Sequence, residues 1–386
     1  MMKSINILYL IPSLSNSGGM ERVLCEKANK LVDRGYSVYI FTTEMNESES
    51  SFYKLDERII LFKSKNSFNS FHNYNVFIKI IYNSIYLYRY KSELKSSIKK
   101  NNIDICVSMG GKELEFFSSI SGNVRLVFES HFNPNVRSSF LKDFKGNNFF
   151  WNMVGRFRDW QYIQQTKSLD CVVVLTKAAQ KHWKKTHHNI KIIKNPIPFK
   201  ITQKSYSRTF YRAIAIGRLE PQKGFDLLIS AWRKVAEINP NWILDIYGEG
   251  SAYNELLDMI KINNLSGSIN LKGITKDVKK ELLTSDFYVM SSRYEGLPMV
   301  LLESIACGLP IVSFDCPTGP AEIIENNDCG LLVKNGCLDE LSIKINQLID
   351  SDTLRECMGN AAVHKARKYD INIIIDEWDD LFSSLV

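Results

Sequence analysis

The stretch Tyr211–Gly217 reads YRAIAIG, and it is followed by the loop RLEPQKG and by a helical pattern that begins near Phe225. A short apolar run, a glycine-containing loop and a helix together make one strand-loop-helix unit. Similar apolar runs alternate with helical stretches along the chain, which is typical of a parallel α/β architecture. The predicted strands are Ile5–Ile11, Val38–Thr42, Ile105–Ser108, Leu126–Glu129, Val172–Leu175, Tyr211–Gly217, Ile243–Tyr247, Ile269–Lys272, Phe287–Met290 and Ile311–Phe314.

These strands fall into two series, which indicates two domains. A chain of 386 residues exceeds what one hydrophobic core usually serves. The segment Asn195-Pro-Ile-Pro and the polar residues 201–208 lack periodicity, as expected of a linker. We therefore expect a Rossmann-like domain at 1–200, a second Rossmann-like domain at 201–365, and a C-terminal helix at 366–386 that packs back on the first domain. Two facing sheets of this kind predict a ligand-binding cleft between them.

Composition favours an ordinary globular protein, with 45% hydrophobic and 24% charged residues. The opening residues predict a buried strand instead of a signal peptide, and no apolar run reaches membrane-spanning length. The eight cysteines are scattered without a Cys-x-x-Cys pair or a nearby histidine at metal-ligand spacing. Reduced thiols in a cytoplasmic protein without a metal site are the simplest interpretation.

The net charge of +7 is unevenly distributed along the chain. Residues 1–200 hold 30 Lys and Arg against 16 Asp and Glu, a net charge of +14. The remaining residues hold 19 basic and 26 acidic side chains, a net charge of −7. We therefore expect an anionic partner for the N-terminal half.

The first glycine motif is Gly18-Gly19, which follows the opening strand and precedes a helix predicted from about Met20 to Arg34. Glycines allow close backbone approach to an anion, and a helix start offers unpaired N–H groups. A tight turn without a ligand explains the pair equally well. The motif is neither Gly-x-Gly-x-x-Gly nor a Gly-Lys-Ser/Thr phosphate loop, which disfavours dinucleotide and ATP binding.

A second motif places Arg218 and Lys223 in the loop after Tyr211–Gly217. Two cations in one strand-to-helix loop can close on a single diphosphate and stabilise the charge of a departing group. The alternative is a solvated loop with incidental charges. The position at the carboxyl end of a strand favours the binding interpretation.

The third motif is Ser292-Arg-Tyr-Glu-Gly-Leu-Pro-Met-Val-Leu-Leu-Glu303, with Glu295 and Glu303 eight positions apart. Gly296 and Pro298 mark a loop, and Met299–Ala306 is a predicted helix with free N–H groups at its start. Eight helical residues would rise about 12 Å, which disfavours an acid and nucleophile flanking one bond. The two carboxylates are better interpreted as holders of sugar hydroxyls.

In this order and spacing, the three motifs resemble those of bacterial glycosyltransferase family 4. The likeness extends to Ala306–Val312 and Gly319–Ile324 and covers nearly the whole chain. It implies the GT-B fold of two Rossmann-like domains, of which 1–200 binds the acceptor and 201–365 binds the nucleotide sugar. It also implies transfer of a sugar with retention from a nucleotide-diphosphate donor, by default a UDP-sugar. It also implies no cofactor and no obligatory metal.

The resemblance further implies a role for individual residues. It places Arg218 and Lys223 on the diphosphate, Glu303 on the ribose hydroxyls and Glu295 near the donor sugar. His131 lies where the family has a cleft histidine, whereas His182, His187 and His188 are expected at the surface. The predicted catalytic residues are Arg218, Lys223, His131 and Glu295. The predicted donor-binding residues are Gly18, Gly19, Arg218, Lys223, Gly273, Glu295, Gly296, Leu297, Pro298, Met299 and Glu303.

The acceptor is inferred from the basic N-terminal half. Residues 75–100 combine an apolar helical face with basic residues, and Phe140–Phe157 interleaves aromatic and basic side chains. This pattern is compatible with docking on anionic lipid, although a helix packed on its sheet explains residues 75–100 at least as well. The resulting hypothesis is a lipid-linked glycan acceptor in surface polysaccharide synthesis, at the inner face of the cytoplasmic membrane.

Two other functions remain open from the sequence. A nucleotide-sugar epimerase with the same double-Rossmann design would convert the donor without an acceptor. A polyanion-binding protein is favoured only by the charge of the first half and leaves Glu295 and Glu303 unexplained. We therefore expect a glycosyltransferase that does not bind nucleic acid.

Overall fold

The computed structural model describes residues 5–65, 67–68, 76–120, 122–131, 137–138, 141, 148–202, 204, 206 and 210–386. The chain divides into two compact units. The first consists of Met1–Pro198 with Ile371–Val386, and the second of Phe199–Asp370. The division between them lies next to the domain boundary expected at residue 200.

The first unit is built on a parallel sheet. Its strands are β1 (Asn6–Ile11), β2 (Ser37–Thr42), β3 (Ile60–Lys63), β4 (Ile105–Ser108), β5 (Arg125–Ser130), β6 (Cys171–Val174) and β7 (Ile190–Ile192). Within the described residues they form a seven-stranded sheet in the order β3-β2-β1-β4-β5-β6-β7, and all neighbours are parallel. Because the chain places β2 on one side of β1 and β4 on the other, a topological switch point lies between β1 and β4.

Helices cover both faces of this sheet. They are α1 (Gly19–Asp33), α2 (Val76–Lys100), α3 (Phe149–Thr166) and α4 (Lys177–Trp183). Side chains alternate between the faces of a strand. In β1, Tyr9 packs in the core that contains α1, whereas Leu8 and Leu10 pack in the core that contains residues of α2, α3 and α4. Two separate hydrophobic cores therefore hold the sheet from either side.

The second unit repeats this design. Its strands are β8 (Arg212–Ile216), β9 (Ile243–Tyr247), β10 (Ile269–Gly273), β11 (Phe287–Met290), β12 (Ile311–Asp315) and β13 (Gly330–Lys334). Its helices are α5 (Phe225–Ile238), α6 (Tyr253–Ile262), α7 (Val278–Leu283), α8 (Met299–Ala306), α9 (Pro320–Ile324), α10 (Leu338–Ile349) and α11 (Asp352–Ala366). Across the described residues the sheet has six parallel strands in the order β10-β9-β8-β11-β12-β13. Its switch point lies between β8 and β11.

The C-terminal helix α12 (Ile371–Leu385) belongs to the first unit. It begins at Ile371 and not at 366 as expected, because α11 runs to Ala366 and the 3₁₀ turn Arg367–Tyr369 follows. Trp378 and Phe382 enter the core that contains α1. At the rim, Arg34 Nη2 lies 2.6 Å from Asp376 Oδ1.

The sequence did not predict three strands, and each is an edge strand of its sheet. These are β3, β7 and β13. β3 has four residues and β7 has three, and both are partly exposed. An edge strand needs neither the length nor the continuous apolar run of a central strand. The apolar pattern by which a strand is recognised in a sequence is therefore weak in edge strands. Each of the other strands overlaps the range predicted for it.

Helices α2 and α3 leave apolar side chains exposed on one side of the first unit. Both helices pack against the 3₁₀ turn Lys112–Glu115. The exposed apolar residues of α3 are Phe149, Phe150, Met153, Phe157 and Trp160, and those of α2 include Ile81, Tyr82, Ile85 and Tyr88. Among the described helices, none has the length and apolar composition needed to cross a membrane.

Candidate functional site

The loop after β8 carries the two predicted cations. Arg218 is exposed, and its side chain has no hydrogen bond or ion pair within the described residues. Pro221–Lys223 forms a short 3₁₀ turn that ends at Gly224, whose φ of +63° lies in the left-handed region. A Cβ atom at Gly224 would overlap the carbonyl oxygen of Ser291, which follows β11. Glycine therefore allows this loop to lie directly against the next one.

The predicted cation and carboxylate meet at this point. Lys223 Nζ lies 2.6 Å from Glu295 Oε1, and the Lys223 side chain is 18% exposed. The same carboxylate oxygen accepts a hydrogen bond of 2.7 Å from Ser292 Oγ. Glu295 is thus a buried, ionic acceptor that holds Lys223 in place. Ser292 belongs to the third motif, whose pattern did not predict this contact.

Arg293, in the loop after β11, binds residues of the loop after β8 and of the start of α5. Its guanidinium binds both oxygens of Asp226 at 2.9 and 2.7 Å, at the start of α5, and also donates to the carbonyl oxygen of Pro221 at 2.6 Å. Its backbone N–H donates to the Gln222 carbonyl oxygen at 2.8 Å. A bidentate pair of this kind fixes geometry as well as contributing energy. The pairing of Arg293 with Asp226 was not predicted, because no local pattern links two residues that are distant in the chain.

The helix α8 starts as predicted, at Met299. Pro298 has extended backbone and precedes it, so the first N–H groups of the helix have no partner inside the helix. Glu303 lies in α8 and is 4% exposed. Of the eight steps from Glu295 to Glu303, only those from Met299 onward are helical. The expected helical rise of about 12 Å across all eight is therefore wrong, because Gly296, Leu297 and Pro298 form a connection outside the helix.

Two further strand-end loops meet at this edge of the sheet. Gly248, after β9, has a φ of +141°, and a Cβ atom there would overlap the carbonyl oxygen of Gly217. The Gly248 N–H donates to the carbonyl oxygen of Gly273, at the end of β10, at 2.9 Å. Predicted residue Gly273 is therefore linked through Gly248 to the cation-bearing loop. Gly248 was not among the predicted residues, although a glycine directly after a predicted strand could have indicated it.

In the first unit, Gly18 is the residue before α1 and Gly19 is its first residue. The helix has no side-chain cap at this end. The Glu21 side chain folds back so far that a Cβ atom at Gly18 would overlap its carboxylate. The carboxylate of Glu21 therefore lies next to Gly18, at the helix start that was predicted to bind an anion, where the helix dipole favours negative charge.

His131 lies directly after β5 and is 9% exposed. Its Nε2 atom is 3.3 Å from Glu129 Oε1. The other carboxylate oxygen, Glu129 Oε2, pairs with the ammonium of Lys27 from α1. Lys27 and Glu129 are each almost completely buried. No local pattern predicted a role for Lys27, which occupies a buried position of an ordinary amphipathic helix.

Burial and the charge of the partner shift the pKa values of Lys27 and Glu129 in opposite directions. Burial alone would raise the pKa of Glu129, but the charge of Lys27 and the neighbouring His131 ring outweigh it and hold that pKa at about 2. Burial lowers the pKa of Lys27, and the charge of Glu129 opposes this shift. Glu129 is therefore an ionised acceptor at neutral pH.

One prediction about the remaining histidines is wrong. His187 is 7% exposed and not a surface residue, because its ring packs edge-to-face on Trp183 with 4.9 Å between ring centroids. Its Nδ1 atom lies 2.8 Å from Thr186 Oγ1. His182 and His188 are exposed, as expected.

Comparison with known families decides the identity of the chain. Residues 17–200 match the family described as Glycosyltransferase Family 4, and residues 200–365 match Glycosyl transferases group 1. The chain belongs to glycosyltransferase family 4. The prediction of a glycosyltransferase is thereby confirmed.

Two relatives of this family 4 glycosyltransferase match along almost their whole length. The amylovoran biosynthesis glycosyltransferase AmsD of Erwinia amylovora is 27% identical, over 98% of this chain and 99% of its own. A Campylobacter jejuni α-1,4-N-acetyl-D-galactosaminyltransferase, named for a GalNAc-containing glycan on PP-undecaprenol, is 24% identical over 99% of each chain.

A solved structure confirms the predicted fold class. A variant of S. aureus TarM, solved with fondaparinux, α-GlcNAc-glycerol and UDP, has a TM-score of 0.78 and 19% identity over 98% of this chain and 99% of its own. The family 4 glycosyltransferase therefore has the GT-B fold, with a Rossmann-like parallel sheet in each unit.

The close approach at Gly224 yields a test of the loop geometry. Gly224→Ala should lower the free energy of unfolding by about 1–2 kcal/mol for its left-handed backbone and by about 1–3 kcal/mol more for overlap with Ser291. Gly336 has a similar φ of +78°, and a Cβ atom there would meet nothing within 4 Å. Gly336→Ala is therefore the matched control that carries only the backbone cost.

Urea unfolding followed by circular dichroism measures both variants. The larger loss is expected for Gly224→Ala. Equal losses in the two variants would contradict the tight contact between the loops after β8 and β11.

Proposed function

We propose that the protein transfers a hexose or N-acetylhexosamine from a nucleotide-diphosphate sugar, with retention of anomeric configuration, to a glycan acceptor. The observation that carries this proposal is the meeting of Lys223 with Glu295, next to the exposed Arg218. A departing nucleotide diphosphate gains negative charge in the transition state, and preorganised cations stabilise that charge.

The two cations differ in how they are held. Lys223 is kept in position by Glu295, so its ammonium needs little reorganisation when a diphosphate arrives. Arg218 has no partner of its own within the described residues, so its guanidinium is available for bidentate binding of phosphate oxygens. We infer that these side chains supply the positive charge and that transfer does not depend on a metal ion.

The carboxylates suit the sugar portions of the donor. An ionised carboxylate accepts hydrogen bonds from vicinal hydroxyls. We assign Glu303, buried in α8, to the ribose hydroxyls and Glu295 to the donor sugar. Gly273, at the end of β10, is assigned to the nucleotide base. UDP is the proposed nucleotide, supported by the TarM variant that was solved with it.

The acceptor is proposed from the two full-length relatives. One is named for amylovoran biosynthesis and the other for a glycan on PP-undecaprenol. We propose a lipid-linked glycan acceptor in the synthesis of a surface polysaccharide such as capsule, exopolysaccharide or O-antigen. The protein would then act in the cytoplasm, at the inner face of the cytoplasmic membrane.

An aromatic surface on the first unit supports this location. We define it as the exposed apolar residues of α3, which run from Phe149 (83% exposed) to Trp160 (55% exposed) along one side of the helix. Arg156 and Arg158 flank Phe157 in the chain and are exposed. Aromatic side chains with adjacent cations are suited to the interface of an anionic bilayer. Of the predicted stretch Phe140–Phe157, residues 140 and 142–147 lie outside the described residues.

Incubation of the purified protein with a panel of nucleotide sugars tests the proposed reaction. We expect one or a few UDP-sugars to lose UDP, and to do so in the presence of EDTA. Proton NMR of the product formed on a glycan acceptor should show the anomeric configuration of the donor. A nucleotide sugar returned with an inverted ring carbon and no transfer would instead identify an epimerase, and an inverted anomeric centre would refute retention.

Replacement of the cations tests the site itself. Arg218→Ala and Lys223→Ala should each lower the transfer rate constant by roughly two to three orders of magnitude, since each removes a preorganised stabiliser of the leaving group. Lys234→Ala is the control, because Lys234 also pairs with a carboxylate, Asp339, but at an exposed position of α5. Near-normal turnover in either Arg218→Ala or Lys223→Ala would rule out the assignment.

Vesicle flotation tests the aromatic surface. Wild-type protein should bind phosphatidylglycerol-containing vesicles at low salt and bind pure phosphatidylcholine weakly. Arg156→Gln with Arg158→Gln should weaken binding roughly thirtyfold, from about 1 kcal/mol per basic residue. Phe157→Ser with Trp160→Ser should weaken it further, whereas Ile238→Ser with Ile262→Ser removes exposed apolar residues of the second unit and should change nothing. Equal binding by all variants would refute the surface.

A further inference from the structure

A strained residue lies in the loop after β12 of the second unit. Thr318 has a φ of +65°, in the left-handed region. Within the described residues, the other non-glycine residues with positive φ are Tyr211, Asn102, Asn264, Asn326 and Asn327. Asparagine tolerates this region, whereas a β-branched residue such as threonine is an outlier there. Strain of this kind persists only where the surrounding contacts determine the conformation, and it is concentrated at functional sites.

The Thr318 hydroxyl binds the backbone of the loop after β11. Its Oγ1 atom donates to the carbonyl oxygen of Glu295, 23 positions earlier in the chain. The carbonyl oxygen of Pro317, in the preceding peptide, lies 2.7 Å from the same Oγ1 atom. A hydroxyl has one proton, so the two carbonyl oxygens share it. The contact with Glu295 is the one that joins two separate loops.

The next residue, Gly319, joins the same two loops by close packing. Its φ is +93°, and a Cβ atom there would overlap the carbonyl oxygen of Gly296 and the ring of Pro298. A residue without a side chain is therefore required at this position. The loop of residues 316–319 thus lies against the connection between Glu295 and α8 at two successive positions.

This arrangement fixes Glu295 at both its side chain and its backbone. The carboxylate atom Oε1 accepts from Lys223 at 2.6 Å and from Ser292 at 2.7 Å. The carbonyl oxygen of the same residue accepts from Thr318. Gly296 follows directly, and glycine leaves the backbone freer than any other residue would. The hydroxyl of Thr318 therefore restrains Glu295 where the chain itself restrains it least.

We infer that Thr318 is a positioning residue for Glu295: its hydroxyl holds the Glu295 backbone so that the carboxylate stays where it meets the hydroxyls of the donor sugar. This inference rests on the proposed function for the contact between Glu295 and a sugar. A group that binds a substrate has to be held to within about 0.5 Å of its productive position. The contact that restrains Glu295 then offsets the strain of the left-handed backbone at Thr318.

The decisive variant is Thr318→Val, which keeps the β-branched side chain and its backbone strain and removes the hydroxyl. We expect kcat for transfer to fall about tenfold, the effect of one hydrogen bond. The Kd of UDP, which lacks the sugar, should change by less than about twofold. An unchanged kcat would overturn the inference, and so would a loss of UDP affinity as large as the loss in kcat.

Two further variants at this position separate positioning from stability. Thr318→Ser restores the hydroxyl and should keep kcat within about threefold of the wild-type value. Thr318→Gly removes the strain, so it should unfold at a higher urea concentration than Thr318→Val. Its kcat should nevertheless be as low, because both variants lack the hydroxyl. If Thr318→Gly had the kcat of the wild type, activity would follow stability and the inference would be wrong.

Ser342→Ala is the control for the loss of a buried hydroxyl. Ser342 is 5% exposed, and its Oγ atom donates to the carbonyl oxygen of Asp339 at 2.8 Å. Both residues belong to α10, so the bond lies within one helix. Its loss should leave kcat unchanged. A fall equal to that of Thr318→Val would show a general effect of weakening the second unit and would overturn the inference.

Hydrogen exchange tests the contact without any reaction. Mass spectrometry of the full-length protein should show roughly tenfold faster amide exchange at residues 295–299 in Thr318→Val, and wild-type exchange there in Ser342→Ala. Wild-type exchange in folded Thr318→Val would show that Thr318 does not hold this segment. If the wild-type protein transfers no sugar from any donor, the proposed function fails, whereas the exchange measurement still decides whether Thr318 positions the backbone of Glu295.

Discussion

The pairing of β8 with β11 is the interaction on which the site in the second unit depends. Phe287 lies opposite Ala213 and Tyr288 opposite Ile214 in parallel register. Parallel neighbours end at the same edge of a sheet, so the loops that follow these strands must meet. Lys223 and Glu295 are consequently in contact although 72 positions separate them in the chain. The bidentate Arg293–Asp226 pair then holds one loop against the other.

The two units use buried carboxylates in different ways. Lys223 keeps 18% of its side chain exposed, so its pair with Glu295 faces the loops and can share its ammonium with an anionic ligand. Lys27 lies against the Trp378 ring and is almost completely buried together with its partner Glu129. Water screens the first pair in part and is excluded from the second. A charge that stays in contact with water suits the binding of a diphosphate, whereas a pair shielded from water stays paired.

Charge and exposed apolar area are also divided between the units. The basic excess lies in residues 1–200, and the exposed aromatic residues of α3 belong to the same unit. The second unit supplies the loops that carry Arg218, Lys223 and Glu295. Under the proposed function, the first unit faces the membrane and acceptor through its surface, and the second holds the donor through its strand-end loops.

The sequence by itself determined the α/β class, the central strands, the start of α8 at Met299 and the positions of Arg218, Lys223 and Glu295 at strand ends. These features follow from local periodicity and from glycine and proline placement, which a chain displays without its fold. Only the tertiary structure decided that Lys223 meets Glu295, that Lys27 meets Glu129 and that His187 is buried. Strand order and helix packing bring these partners together, and no local pattern encodes a contact between residues that are distant in the chain.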